Sequence, residues 1–142
     1  MAEPNKNKMI KLIVVEDNPI VLDGIVQLIK FQKDMTVIGE AANGYQALQL
    51  LEDGLSPDIV LTDLNMPGLS GIELTRQIRN LASNMIKVII LTMHAKKSFV
   101  AEAFNAGASG YLLKDGDFEE LYDAIRQVHL DHLYVSSAIM QK

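Results

Sequence analysis

Short apolar runs alternate along this chain with longer stretches in which apolar residues recur every three or four positions. The runs are "KLIVVE" (Lys11 to Glu16), "TVIGEA" (Thr36 to Ala41), "DIVLTD" (Asp58 to Asp63), "KVIILT" (Lys87 to Thr92) and "SGYLLK" (Ser109 to Lys114). The first, third and fourth are almost continuously apolar, as expected of parallel strands covered on both faces. The stretches between them have readable helix ends. Asn18 offers an N-cap with Pro19 at the first helical position, and Val21, Leu22, Ile25, Val26 and Ile29 follow at helical spacing. Asn43 can cap the stretch holding Ala47, Leu48 and Leu51. Ser70 and Glu73 have capping-box spacing ahead of Leu74, Ile78 and Leu81. "SFVAEAFNAGA" reads as a helix closed by Gly107, and Asp117 with Glu120 repeats the cap-and-acid pattern before Leu121, Ile125 and Val128.

Five strands alternating with five helices predict an α/β fold, a doubly wound parallel sheet built from right-handed βαβ units. One domain over residues 8–130 accounts for the pattern. Residues 131–142 read as a tail, in which Ser136 caps a helix that barely begins.

Composition narrows the function classes. Of 142 residues, 49% are hydrophobic, enough for one core, and none is cysteine, which excludes disulfides and thiolate metal sites. The start "MAEPNKNKMIK" lacks the apolar core of a secretory signal, and no segment approaches the roughly 18 unbroken apolar residues of a membrane span. The expectation is a soluble cytoplasmic protein without a membrane partner. A net charge of −5 argues against this domain itself gripping nucleic acid, which needs clustered Lys and Arg. "GEAANG" is no dinucleotide-binding fingerprint.

Ligands of open α/β sheets bind beyond the carboxyl ends of the strands. At those ends stand Glu16 and Asp17 after the first strand, Asp63 after the third, Thr92 at the fourth and Lys114 at the fifth. Three crowded carboxylates repel one another, and a hard divalent cation removes the conflict. Magnesium, with its preference for oxygen ligands and phosphate, fits Asp17 and Asp63, with Glu16 near enough to hold a metal-bound water. Calcium and zinc are disfavoured by the missing EF-hand loop, the missing cysteines and the spacing of His94, His129 and His132. An aspartate beside magnesium, with lysine opposite, is equipped to become an aspartyl-phosphate. Asp63 is then the phosphoacceptor, Lys114 neutralises equatorial oxygens, and Thr92 hydrogen-bonds a phosphoryl oxygen.

"VVEDN", "DIVLTDLNMPGLSG", "VIILTMH" and "AGASGYLLKD" occur in the order and spacing of a known family. From Lys11 to Val128 the chain resembles response-regulator receiver domains of two-component signalling. The resemblance implies a flavodoxin-like five-stranded sheet of order 2-1-3-4-5. It also implies transfer of phosphoryl to Asp63 from a sensor histidine kinase or phosphotransfer protein, and a homodimer formed on phosphorylation. It makes Glu16 and Asp17 the acidic pair, Asn65 a metal ligand through its backbone carbonyl, Thr92 the switch hydroxyl, Tyr111 the switch aromatic and Lys114 the phosphate-binding lysine. Two positions depart from the common pattern. Glu16 is one methylene longer than the usual aspartate, and Met93 stands where many members have a small residue. "LTMHAKKSFVAEAFNAGASGYLLKD" with "AIRQVHLDHLYVS" resembles receivers joined to a C-terminal helix-turn-helix DNA-binding domain, which suggests an excised receiver of a transcription regulator rather than a standalone one.

Two other functions compete. A magnesium phosphohydrolase of haloacid-dehalogenase type needs a second aspartate two residues after the nucleophile, where this chain has Asn65. The remaining alternative is an interaction module that keeps the receiver fold but takes no phosphate. Tyr122 and Arg126 are expected to be exposed beside the apolar stripe of the last helix, either as a solvated face or as a partner surface. His94 reads as a loop residue, and Met66, Met85 and Met93 as adaptable packing.

Overall fold

Successive side chains of a strand point to opposite faces, so a continuously apolar strand needs cover on both sides. The computed structural model, which describes residues 9–82, 85–94 and 96–140, supplies that cover. The strands are β1 (Ile10–Val15), β2 (Met35–Ala41), β3 (Ile59–Thr62), β4 (Lys87–Thr92), β5 (Gly110–Leu113) and β6 (Tyr134–Val135). They form one parallel sheet in the order β2-β1-β3-β4-β5-β6. The helices are α1 (Pro19–Lys30), α2 (Gly44–Glu52), α3 (Gly71–Ala82), α4 (Lys97–Ala106), α5 (Phe118–His129) and α6 (Ser137–Met140).

Leu12 and Val14 of β1 pack with Ile25, Ile29, Ile125 and Val128 of α1 and α5. Ile13 and Val15 face the other way, toward Ala47, Leu74, Ile78 and Ala103 of α2, α3 and α4. Fully burying one such aliphatic side chain contributes roughly 1.5–3 kcal/mol. The two apolar layers therefore cover both faces of the sheet.

The helix ends form as their sequences require. Asn18 accepts from the backbone of Ile20 and Val21, Asn43 from Gln46, and Ser70 Oγ from Glu73. Gly107 closes α4 at φ 109°, a left-handed conformation that costs a side chain dearly.

Several expectations need correction. The sheet has a sixth strand, because the tail does not merely trail away. Tyr134 and Val135 pair with Gly110 and Tyr111, and Ser136 precedes the short α6. Asp117 caps α5 through Glu119, but Glu120 is drawn to the tail instead of back to the cap. Tyr122 is buried in the α1/α5 layer, with its hydroxyl donating to the Leu28 carbonyl at 2.7 Å. Arg126 is half-buried and grips both carboxylate oxygens of Asp34. Neither is free surface, because α5 packs against α1 as well as against the sheet. Met66 does pack in the core, whereas Met85 and Met93 are 86% and 61% exposed.

Candidate functional site

Parallel pairing brings the carboxyl ends of β1, β3, β4 and β5 to one edge, and the site is built there. Asp63 directly follows β3, where its N–H donates to the Val15 carbonyl of β1 at 3.1 Å. Its side chain is only 11% exposed. Oδ1 accepts from the Leu64 N–H at 2.7 Å, and Oδ2 lies 3.4 Å from Lys114 Nζ. The backbone around Asp63 is held just as closely. Thr62 Oγ1 donates to the Asp63 carbonyl, and the Gly71 N–H to the Leu64 carbonyl. A Cβ on Gly71 would fall 2.2 Å from the Asp63 carbonyl oxygen, so only glycine lets α3 start so close to the acid.

Glu16 reaches deeper than a surface acid would. It is 2% exposed, with Oε1 2.6 Å from Lys114 Nζ and Oε2 accepting from the Asn18 N–H at 3.1 Å. Asp17 beside it is exposed. Oxygens of Glu16, Asp17 and Asp63 all lie within 4.8 Å of one another. Three carboxylates thus face one ammonium, an excess of negative charge that a small hard cation relieves. These oxygen donors fit magnesium; Glu16, Asp17 and Asp63 are the side chains that would hold it, with Asn65 exposed in the adjoining loop.

Thr92 ends β4 at the same edge, Tyr111 lies two registers deeper in β5, and the His94 backbone links them. The His94 N–H donates to Thr92 Oγ1 at 3.3 Å, and the His94 carbonyl accepts from the Tyr111 hydroxyl at 2.9 Å. Tyr111 is fully buried, and burial pushes its phenol up to about 12. The Lys114 N–H donates to the Thr92 carbonyl at 2.7 Å, tying β5 to β4 at the site. The sequence-predicted residues Glu16, Asp17, Asp63, Thr92 and Lys114 therefore lie on one edge, and Tyr111, buried earlier along β5, reaches it only through its hydroxyl. Gly71 and the His94 backbone were not singled out from the sequence. Their contribution is steric room and main-chain hydrogen bonding, which residue type barely signals. Beside Lys114, a cavity of 370 Å³ opens between α1 and α5, lined by Val21, Ile25, Leu28, Met93, Phe118 and Leu121.

This fold, with acids and a lysine on its carboxyl edge, defines a class of signalling domain. The chain belongs to the response regulator receiver domain family, whose sequence model matches residues 12–126. Among its relatives is the nitrate/nitrite response regulator protein NarL of Escherichia coli K12, 37% identical over 128 residues, 90% of this chain and 58% of that protein. The transcriptional regulatory protein YxjL of Bacillus subtilis is 43% identical over 122 residues, 86% of this chain and 55% of that protein. A crystal structure of a LuxR-family two-component response regulator from Aurantimonas sp. SI85-9A1 superposes with a TM-score of 0.89 at 38% identity, covering 94% of both chains. The chain thus spans little more than half the length of the curated relatives it matches. Among the described residues, no helix is long and apolar enough to cross a membrane.

Proposed function

We propose that this chain is a phosphorylation-controlled switch in which Asp63 accepts phosphoryl from the phosphohistidine of a sensor kinase or phosphotransfer protein. The observation that carries this reading is the position of Asp63, nearly buried, within reach of two further acids and beside Lys114. In the transfer, an Asp63 carboxylate oxygen bonds to phosphorus as the phosphorus–nitrogen bond breaks, and the imidazole leaves with the bonding electron pair and takes up a proton. Lys114 moves its charge from Glu16 toward the new phosphoryl oxygens, and Thr92 offers them its hydroxyl. Glu16, Asp17, Asp63 and the Asn65 backbone carbonyl would hold magnesium, which would supply further charge neutralisation during the transfer. Tyr111 and the His94 loop carry the change away from the site.

In this reading the chain turns over no metabolite; it acts in the cytoplasm and forms a homodimer on phosphorylation. The signalling unit includes β6 and the short α6, and in this reading it controls an output domain of helix-turn-helix type that regulates transcription. The test is incubation with magnesium and acetyl phosphate, followed by intact mass and sedimentation. One magnesium-dependent phosphoryl adduct, absent in Asp63→Asn, is expected together with a rise in molecular weight. Folded protein that takes no adduct is a passive interaction module instead. Multiple turnovers of a phosphate ester would point to a hydrolase.

A further inference from the structure

Away from the acidic edge, one carboxylate collects an unusual number of donors. Glu120, in the first turn of α5, accepts from Ser136 Oγ at 2.8 Å, the Ser137 N–H at 3.0 Å, Tyr134 Oη at 3.1 Å and Ser137 Oγ at 3.3 Å. Burial pushes the Glu120 carboxyl up, yet the donors from Ser137, Ser136 and Tyr134 outweigh it and hold the group below its ordinary value. All these donors come from the tail. Glu120 thus fixes the segment from Tyr134 to Ser137 against α5.

What the tail touches gives this attachment its consequence. The Ser136 N–H donates to the Tyr111 carbonyl at 2.9 Å, and Val135 pairs with Tyr111 across the sheet edge. Ile139 of α6 is 3% exposed and belongs to the same apolar cluster as the Tyr111 ring. From Tyr111 the contacts continue through its hydroxyl to the His94 carbonyl and from the His94 N–H to Thr92. An unbroken line of hydrogen bonds and packing therefore joins Glu120 to Thr92.

We propose that Glu120 is a positioning residue that latches the tail beneath Tyr111, so that tail docking and occupancy of the Asp63 site favour each other. The docked tail holds Tyr111 inward and with it the His94 loop that presents Thr92. A ligand drawing on that loop binds better when the loop is already arranged, and by linkage its binding tightens the tail by the same factor. This inference rests on the phosphoacceptor reading.

The experiment uses the full chain with magnesium and beryllofluoride as the phosphoryl mimic. Hydrogen exchange of the tail amides is followed by mass spectrometry, and mimic affinity by fluorine NMR. In the unmodified chain, bound mimic should slow tail exchange about fivefold, a typical coupling. Glu120→Ala should free the tail and weaken mimic binding by a similar factor, with Ser137→Ala intermediate. Mimic that binds without changing tail exchange overturns the coupling while leaving the phosphoacceptor reading intact. A freed tail with unchanged or tighter mimic binding does the same. No mimic binding to the unmodified chain overturns the phosphoacceptor reading, and the coupling falls with it. If Glu120→Ala does not fold, the exchange measurement on the unmodified chain still decides.

Discussion

Glu120 and Asp63 are both carboxylates held near the core, and their partners differ in kind. Glu120 faces four neutral donors from one segment, which leave its negative charge satisfied from within the chain. Asp63 faces one backbone N–H and a lysine shared with Glu16, and two more acids crowd it. A saturated acid stabilises what it touches. An acid among like charges keeps capacity for something that is not yet bound, at some expense of stability. The same residue chemistry thus serves attachment in one place and reception in the other.

The comparison is broken most forcefully at Gly71. Gly71→Ala drives a methyl into the Asp63 carbonyl, which as backbone cannot swing aside. The expected loss is about 3 kcal/mol from urea midpoints, with at least a tenfold fall in phosphoryl uptake. Lys114→Met comes next. It leaves Glu16 buried without its cation, and should cost roughly 2 kcal/mol, below the full penalty of a deeply buried pair because the site edge is partly open. Millimolar magnesium should restore part of that loss in thermal unfolding, since the acids would then gain another cation.

Glu120→Ala should cost about 2 kcal/mol as well, chiefly by orphaning the buried Ser136 hydroxyl. Magnesium should give it no comparable rescue, because donors rather than acids are left behind. If both variants respond to magnesium alike, the distinction between the two acids fails.

Acid titration sharpens the same point with a smaller effect. The Glu120 carboxyl is held below its ordinary value of 4.5, so its stabilisation is present above that value and is lost as pH falls through the depressed one. Asp34, lowered chiefly by its hydrogen bond to Arg126, behaves the same way. Unfolding free energy should therefore fall on acidification below 4.5. The fall should be shallower in Glu120→Gln. The smallest effect is expected at Arg126. Arg126→Ala breaks a half-exposed pair with Asp34, and should cost at most about 1 kcal/mol, less at high salt.

Much of this architecture was legible in the chain. β1, β3 and β4 showed as continuous apolar runs because burial on both faces removes the polar alternation. Asn18, Asn43 and Asp117 showed as caps because capping is a local contact between near neighbours. β6 was invisible, since two residues carry no periodicity and pair only once β5 is in place. Glu120 was misassigned for the same reason. Its spacing to Asp117 suggested a local partner, while its actual donors lie 14 to 17 residues away.

The order of apolar runs, the helix ends and the presence of acids, threonine and lysine at strand ends are properties of sequence, because each depends on residue type and near neighbours. The tertiary structure alone decided that Glu16 would reach Lys114 and Tyr122 would turn inward. It alone decided that the His94 backbone would bridge Thr92 to Tyr111 and that the tail would close the sheet. These depend on distances between segments far apart in the chain, and such distances exist only once both apolar layers have packed.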